Sequence, residues 1–457
     1  MNSKQENKLK NSVVRILSSH GSLLYIAMIL LFCFLYEWWD IFNVPNVPGV
    51  KIYIYALKIV LPFVMFLALP SRLLPNFSLP RKYLFYFALF MAWGLVPNVL
   101  SGHIAETMLQ WMKFMFRFFF CYIIFAYLLQ KPGAKAGIMK ALVLIALGVV
   151  LQYVILSMCY VPGDPRGFPL SLSQGAIYFG PYALLGNGNA FLSFGNLGFR
   201  IFRLTGFWGE PSSASGFLFM AFFLAEAIFE QTKQMRWRLS GLVCLGGGLL
   251  TFSNAGQFAL GCALLFGCIL RFREKRKNYF LFITKVIILL MYIFLTIFGR
   301  AIVAKYYSDS TPLRNLSGVR DVVTNQDPYG GRIEQLQDNK EPILKNPFGV
   351  GFRIMGVDAK GRGIAGIVSA PFWWLVCTGW AGLFLLLMRE LQVFRAMGKR
   401  FFPSNSIIIF QAWLILFFQN ISYGLWMNPL YFLLVAMVFT TIYYPHDKGA
   451  IMQGSVT

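Results

Sequence analysis

The residues best suited to chemistry begin with Arg203-Leu204-Thr205-Gly206-Phe207-Trp208-Gly209-Glu210-Pro211-Ser212-Ser213. Here an arginine and a glutamate bracket two glycines just ahead of an apolar run. Pro at a first helical turn, with Ser beside it, is an ordinary helix start. Glu210 also suits the positive end of a helix dipole. A helix cap therefore accounts for Glu-Pro-Ser but leaves Arg203 and the two glycines over. The alternative is a site for an anionic head group, held by Arg203 and the free N–H groups of the helix start. On these residues alone the two readings stand level.

A second constellation reads Asp327-Pro328-Tyr329-Gly330-Gly331-Arg332-Ile333-Glu334, followed by Lys345-Asn346-Pro347-Phe348-Gly349-Val350-Gly351-Phe352-Arg353. Gly330-Gly331 and Asn346-Pro347 mark turns, and the stretch between them predicts a short helix over 332–345. Arg332 would open that helix, where a cation is unfavourable for the helix itself. A residue set against its local preference points to a ligand or a buried acid. A solvated loop arginine is the plainer alternative. The third feature is Lys113 and Arg117, four apart and so on one helical face, inside an apolar stretch. Intramembrane cations are expensive and face an interior or an aqueous cavity. Snorkelling to the interface explains Lys58, Lys113 and Lys285 more readily than the deeper Arg117.

Arginine's planar fork binds two oxygens of one phosphate at once. A lipid-linked phosphate or pyrophosphate is the ligand these cations fit most simply. A soluble nucleotide is disfavoured, because the chain holds no GxxxxGK[ST] loop. The seven cysteines lie in or at the ends of apolar stretches, and His20, His103 and His446 are far apart. No disulfide framework, metal centre or other cofactor is expected.

These residues must be held by a scaffold, and composition says which. Of 457 residues, 57% are hydrophobic and only 13% are charged, yet the net charge is +23. Disorder requires low hydrophobicity, and nucleic-acid binding requires the basic residues on one wetted face. Both are set aside in favour of an all-α polytopic membrane protein. A hydrocarbon core takes about 20 apolar residues per helix. Twelve stretches approach that: 21–38, 52–69, 83–100, 111–129, 141–160, 213–230, 239–253, 256–270, 279–299, 370–388, 405–421 and 424–443. The first lacks a small-residue cleavage site and is read as a retained helix. The seventh and eighth predict a tight hairpin through Ser253-Asn254-Ala255-Gly256.

Lys and Arg of the short loops orient such a chain. Alternate loops carry 23 cations, Arg389 and Arg395 among them, whereas 39–50, 101–110, 254–255 and 422–423 carry none. Both termini are therefore expected in the cytoplasm. The chain reads as one integral membrane domain, 1–457, with two large outer loops, 161–212 and 300–369. Loops this long are functional or disordered, and their aromatic content argues against disorder.

In order and position these motifs resemble the O-antigen polymerase and ligase superfamily, bacterial membrane glycosyltransferases with many helices and large outer loops. Arg203 to Ser212 is similar to the family's Arg…Gly…Glu-Pro-Ser entry. Arg332 with Asn346 to Gly351 is similar to its arginine and Pro-x-Gly-x-Gly stretch. Thr378-Gly379-Trp380-Ala381-Gly382-Leu383 is similar to the Gly-x-x-Gly-Leu entry of the following helix. The ligase branch carries a loop histidine before that helix. Here Ile367-Val368-Ser369-Ala370-Pro371-Phe372 stands in its place, and 300–369 holds no histidine. The resemblance therefore implies the polymerase (Wzy-type) branch, with ligase and lipid-linked oligosaccharide flippase as alternatives.

It further implies an undecaprenyl-pyrophosphate-linked oligosaccharide as both donor and acceptor, and a bilayer setting in the bacterial inner membrane with the site facing the periplasm. A separate chain-length co-polymerase is implied as a partner, and no nucleic acid. Arg203 and Arg332 would stabilise charge on the departing pyrophosphate. Lys113 and Arg117 would anchor the lipid pyrophosphate, with Arg353 and Glu334 also in the substrate-binding set. Glu210 would act as a base or orient Arg203; a helix N-terminus lowers a carboxylate's basicity, which weighs against the first role.

Overall fold

The computed structural model describes residues 80–100, 104–130, 133–158, five short strands between 171 and 202, Leu204, 211–273, 343–352, 370–398, 404–422 and 429–443. The expected spans 21–38, 52–69 and 279–299 lie outside the described residues. The others fold as helices: α1 (Arg81–Leu100), α2 (Ile104–Leu128), α3 (Ala134–Met158), α4 (Pro211–Thr232), α5 (Met235–Leu250), α6 (Asn254–Arg273), α7 (Ala370–Gly398), α8 (Ser404–Ser422) and α9 (Pro429–Tyr443). Five of them (α1, α3, α4, α6 and α7) are long and apolar enough to cross a bilayer. The described residues thus form a helical membrane protein. Large apolar side chains such as Phe85, Leu151, Leu242, Leu265 and Phe384 face outward, as a lipid-contacting surface requires. By contrast, α8 and α9 are almost wholly buried, so they form the centre of the bundle.

Segment 171–202, expected as part of the first large loop, contains short strands. It holds β1 (Ser171–Ser173), β2 (Ala176–Phe179) and β3 (Tyr182–Leu185) in one antiparallel sheet, and β4 (Phe191–Ser193) paired with β5 (Arg200–Phe202) in another. Register pairs Ser171 with Tyr178 and Phe191 with Phe202.

Close helix approach in a bilayer relies on small residues and on side-chain hydrogen bonds between helices. Both occur here. A Cβ on Gly248 of α5 would lie 2.4 Å from the Phe219 ring of α4, and one on Gly247 would lie 2.6 Å from Val150 of α3. On α8, the Gln419 amide donates to the Ser212 carbonyl at 2.6 Å and the Gln411 amide to the Ala263 carbonyl at 3.0 Å. The expected α5–α6 hairpin is present. Phe252 turns the chain at φ 50°, and the Ser253 hydroxyl caps α6 by accepting from Gly256 N–H at 3.3 Å.

Helix α7 differs from the expected 370–388 stretch, because it continues to Gly398 and carries Arg389 and Glu390 fully buried. The loop assignment of Arg389 is therefore corrected: it belongs to the bundle interior. Its Nε donates to Glu390 Oε1 at 2.7 Å, and its guanidinium lies 5.0, 5.5 and 5.8 Å from the rings of Phe87, Phe432 and Tyr83. Tyr431 donates its hydroxyl to the other Glu390 oxygen. Tyr431 of α9 also stands 6.2 Å from Trp413 at the middle of α8.

Candidate functional site

The site grows from a break in α7. At Gly379 the backbone takes φ 68° and ψ −172°, a conformation essentially confined to glycine. The break exposes backbone groups that an unbroken helix would keep, and segment 346–352 pairs with them. Val350 N–H donates to the Val376 carbonyl at 2.9 Å, and Gly351 N–H to the Cys377 carbonyl at 3.1 Å. In return, Trp380 N–H donates to the Pro347 carbonyl at 3.2 Å. A turn closed by Gly349 N–H to the Asn346 carbonyl, 2.9 Å, shapes the start of the segment. The stretches 346–351 and 378–383 are thus two halves of one structure.

Helix α1 supplies the other wall. Pro97 has no N–H to give its helix, and beside it Asn98 is fully buried. The Asn98 amide donates to the Gly94 carbonyl at 2.8 Å, while its oxygen accepts from Phe352 N–H at 2.8 Å. Trp93 Nε1 donates to the Thr378 carbonyl at 2.8 Å. Phe352 then inserts among Trp111, Trp373 and Trp374, at centroid distances of 4.6, 5.2 and 5.4 Å. Gly94 makes room, since a Cβ there would lie 2.0 Å from the Trp111 ring. Phe352→Ala is expected to lower stability by about 3–5 kcal/mol and to free the segment. The thermal midpoint of the detergent-solubilised protein measures the loss, and an unchanged midpoint would show that the ring is not the anchor.

Of the first motif, Leu204 and Pro211–Ser213 are described. Leu204 is fully buried, and its N–H meets the Leu250 carbonyl at 3.4 Å, so the chain leaving β5 is seated on the end of α5. Helix α4 starts at Pro211 beside the carboxyl end of α8, as the Gln419–Ser212 bond shows. Arg203 and Glu210 themselves lie outside the described residues, as do Arg332, Glu334 and Arg353. Lys113 and Arg117 fall within the continuous helix α2, four apart as expected. They follow Trp111 by two and six residues, roughly 200° and 240° round the helix. Their positions are therefore off the strip of α2 that meets Phe352. Among the described residues, no group of His, Cys, Asp and Glu could hold a metal ion.

Beside the segment opens a cleft of about 330 Å³, lined by Leu100 and residues 345–350. The sequence motifs foretold that 346–351 mattered. Asn98, Trp93 and Trp111 escaped that reading, although a Pro97-Asn98 pair in an apolar stretch was an available signal. No family model, curated protein or solved structure matches the chain.

Proposed function

We propose that this chain is a membrane glycosyltransferase of the O-antigen polymerase type, which moves a polyprenyl-pyrophosphate-linked glycan onto a hydroxyl of a second lipid-linked repeat unit. The observation that carries the reading is the pairing of Asn346–Phe352 with Val376–Trp380. Two stretches that resemble one family in sequence, 346–351 and 378–383, thereby meet. The proposal includes twelve spans, cytoplasmic termini and a site on the periplasmic side of a bacterial inner membrane.

In this reaction the acceptor hydroxyl oxygen forms a bond to the anomeric carbon of the donor glycan. The bond from that carbon to the pyrophosphate oxygen breaks, the electron pair leaves with the lipid pyrophosphate, and the hydroxyl proton passes to a base. Arg203 and Arg332 stabilise the charge on the leaving group, and Lys113 and Arg117 hold the lipid pyrophosphate. Arg353 and Glu334 complete the substrate contacts. Glu210 either takes the proton or orients Arg203.

Arg332→Ala or Arg203→Ala is expected to abolish the long-chain ladder of the surface glycan on a gel, leaving single-repeat species at normal protein level. Full-length polymer from either variant would overturn the assignment. A transporter of lipid-linked oligosaccharide is the second reading. The break of α7 at Gly379 favours it, because transporters use interrupted helices. Reconstitution with purified lipid-linked repeat separates the two: chain lengthening without a gradient marks the polymerase, and leaflet exchange alone marks the transporter.

A further inference from the structure

We infer that the cleft over residues 345–350 is a glycan subsite, which seats one sugar ring of the oligosaccharide against Phe348. This rests on the polymerase reading for the identity of the sugar, but not for the existence of the site. The first argument is the contrast between two phenylalanines four residues apart. Phe352 is 3% exposed and anchors the segment, whereas Phe348 is 52% exposed. Phe348 is nevertheless held in place. Its ring stands 6.2 Å from that of Trp93, and Trp93 is fixed in turn by its bond to the Thr378 carbonyl.

The second argument is chemical. The cleft that holds this ring is lined by the polar residues Lys345 and Asn346 and by 347–350, with Leu100 at one wall. A pyranose needs this mixture, because its C–H face packs on an aromatic ring while its hydroxyls need donors and acceptors at the edge. A lipid chain would need an apolar lining throughout, and a bare phosphate would gain nothing from the ring. The volume, about 330 Å³, is at the small end of ligand sites, suited to a ring or two of a saccharide.

The third argument is rigidity. The floor of the cleft is clamped by the bonds from Gly349, Val350, Gly351 and Trp380 N–H groups, so little order remains to be gained on binding.

The test uses the full chain in lipid nanodiscs. The probe is the repeat-unit oligosaccharide released from its carrier by mild acid, and binding is followed by saturation-transfer NMR and titration. Wild type is expected to bind it. Phe348→Ala should weaken binding about threefold to tenfold, and Phe348→Trp should restore it. Phe384→Ala, an exposed ring outside the cleft, should change nothing. No binding by wild type, or equal binding by Phe348→Ala, overturns the subsite. Displacement of the sugar by polyprenyl phosphate in a Phe348-dependent way overturns it too, in favour of a lipid chain. Phe348-dependent sugar binding without chain lengthening leaves the subsite standing and removes the polymerase. Chain lengthening with a KM indifferent to Phe348 does the reverse.

Discussion

Arg389→Ala is expected to destabilise the protein by about 3–5 kcal/mol, the usual loss when one partner of a buried ion pair is removed. The substitution leaves the Glu390 carboxylate in the bundle interior with the Tyr431 hydroxyl as a partner and no adjacent cation. Glu390→Ala should cost less. It leaves a guanidinium on the rings of Phe87, Phe432 and Tyr83, and a desolvated cation–π contact recovers about 2 kcal/mol. Arg389 and Glu390 are neighbours on one helix, so their mutual attraction joins no two helices. The ties between helices come from the three rings, on α1 and α9, and from the Tyr431 hydroxyl. The double replacement Arg389→Met with Glu390→Leu removes both desolvation penalties and is expected to stay near wild type. Thermal midpoints in detergent check all three variants. A midpoint for Arg389→Ala equal to that of wild type would show that water already reaches the pair.

Gly379→Ala is expected to undock segment 346–352. The backbone conformation itself costs a non-glycine residue about 1–3 kcal/mol. The steric conflict is worse, because the new Cβ would lie 2.2 Å from the Pro347 carbonyl oxygen and 2.5 Å from the Phe348 carbonyl carbon. Both are backbone atoms, so no rotamer can clear them. Gly349 faces the reciprocal problem: at φ 90°, its Cβ would lie 2.5 Å from the Cys377 carbonyl oxygen. The two chains touch through their glycines, and a methyl on either forces them apart. Cys377, buried in the intact protein, should then react with maleimide in a background where the other cysteines are replaced. Under the proposed polymerase function, chain lengthening should fall by roughly 100-fold, the scale of loss when reacting groups shift by about an ångström. Gly148→Ala is the control, since nothing lies within 4 Å of its Cβ position. Equal maleimide labelling in wild type and Gly379→Ala would refute the docking.

Much of the scaffold was legible because a bilayer demands long apolar helices, and the stretches 83–100, 213–230, 256–270 and 405–421 appear as helices within a few residues of their expected ends. Helix α2 began earlier than expected, at Ile104, because its first turns carry Glu106, Thr107 and Gln110 and fall below an apolar threshold. The hairpin at Ser253 was legible from a capping residue. Arg389 was misplaced for a different reason. A cation beside an acid at the end of an apolar run looks like a loop, and the aromatic rings that make burial tolerable come from residues far away in the chain.

The sequence by itself determined the solvent this protein lives in, the approximate lengths of its helices, and the motifs around residues 346–351 and 378–383. Those properties follow from local composition and spacing. Only the tertiary structure decided that the two motifs are one object, that Asn98 reaches Phe352 across 254 positions, and that Arg389 is inside. Pairings of this kind depend on which helices lie side by side, and the free energy of a buried polar group depends on the neighbours that packing brings to it.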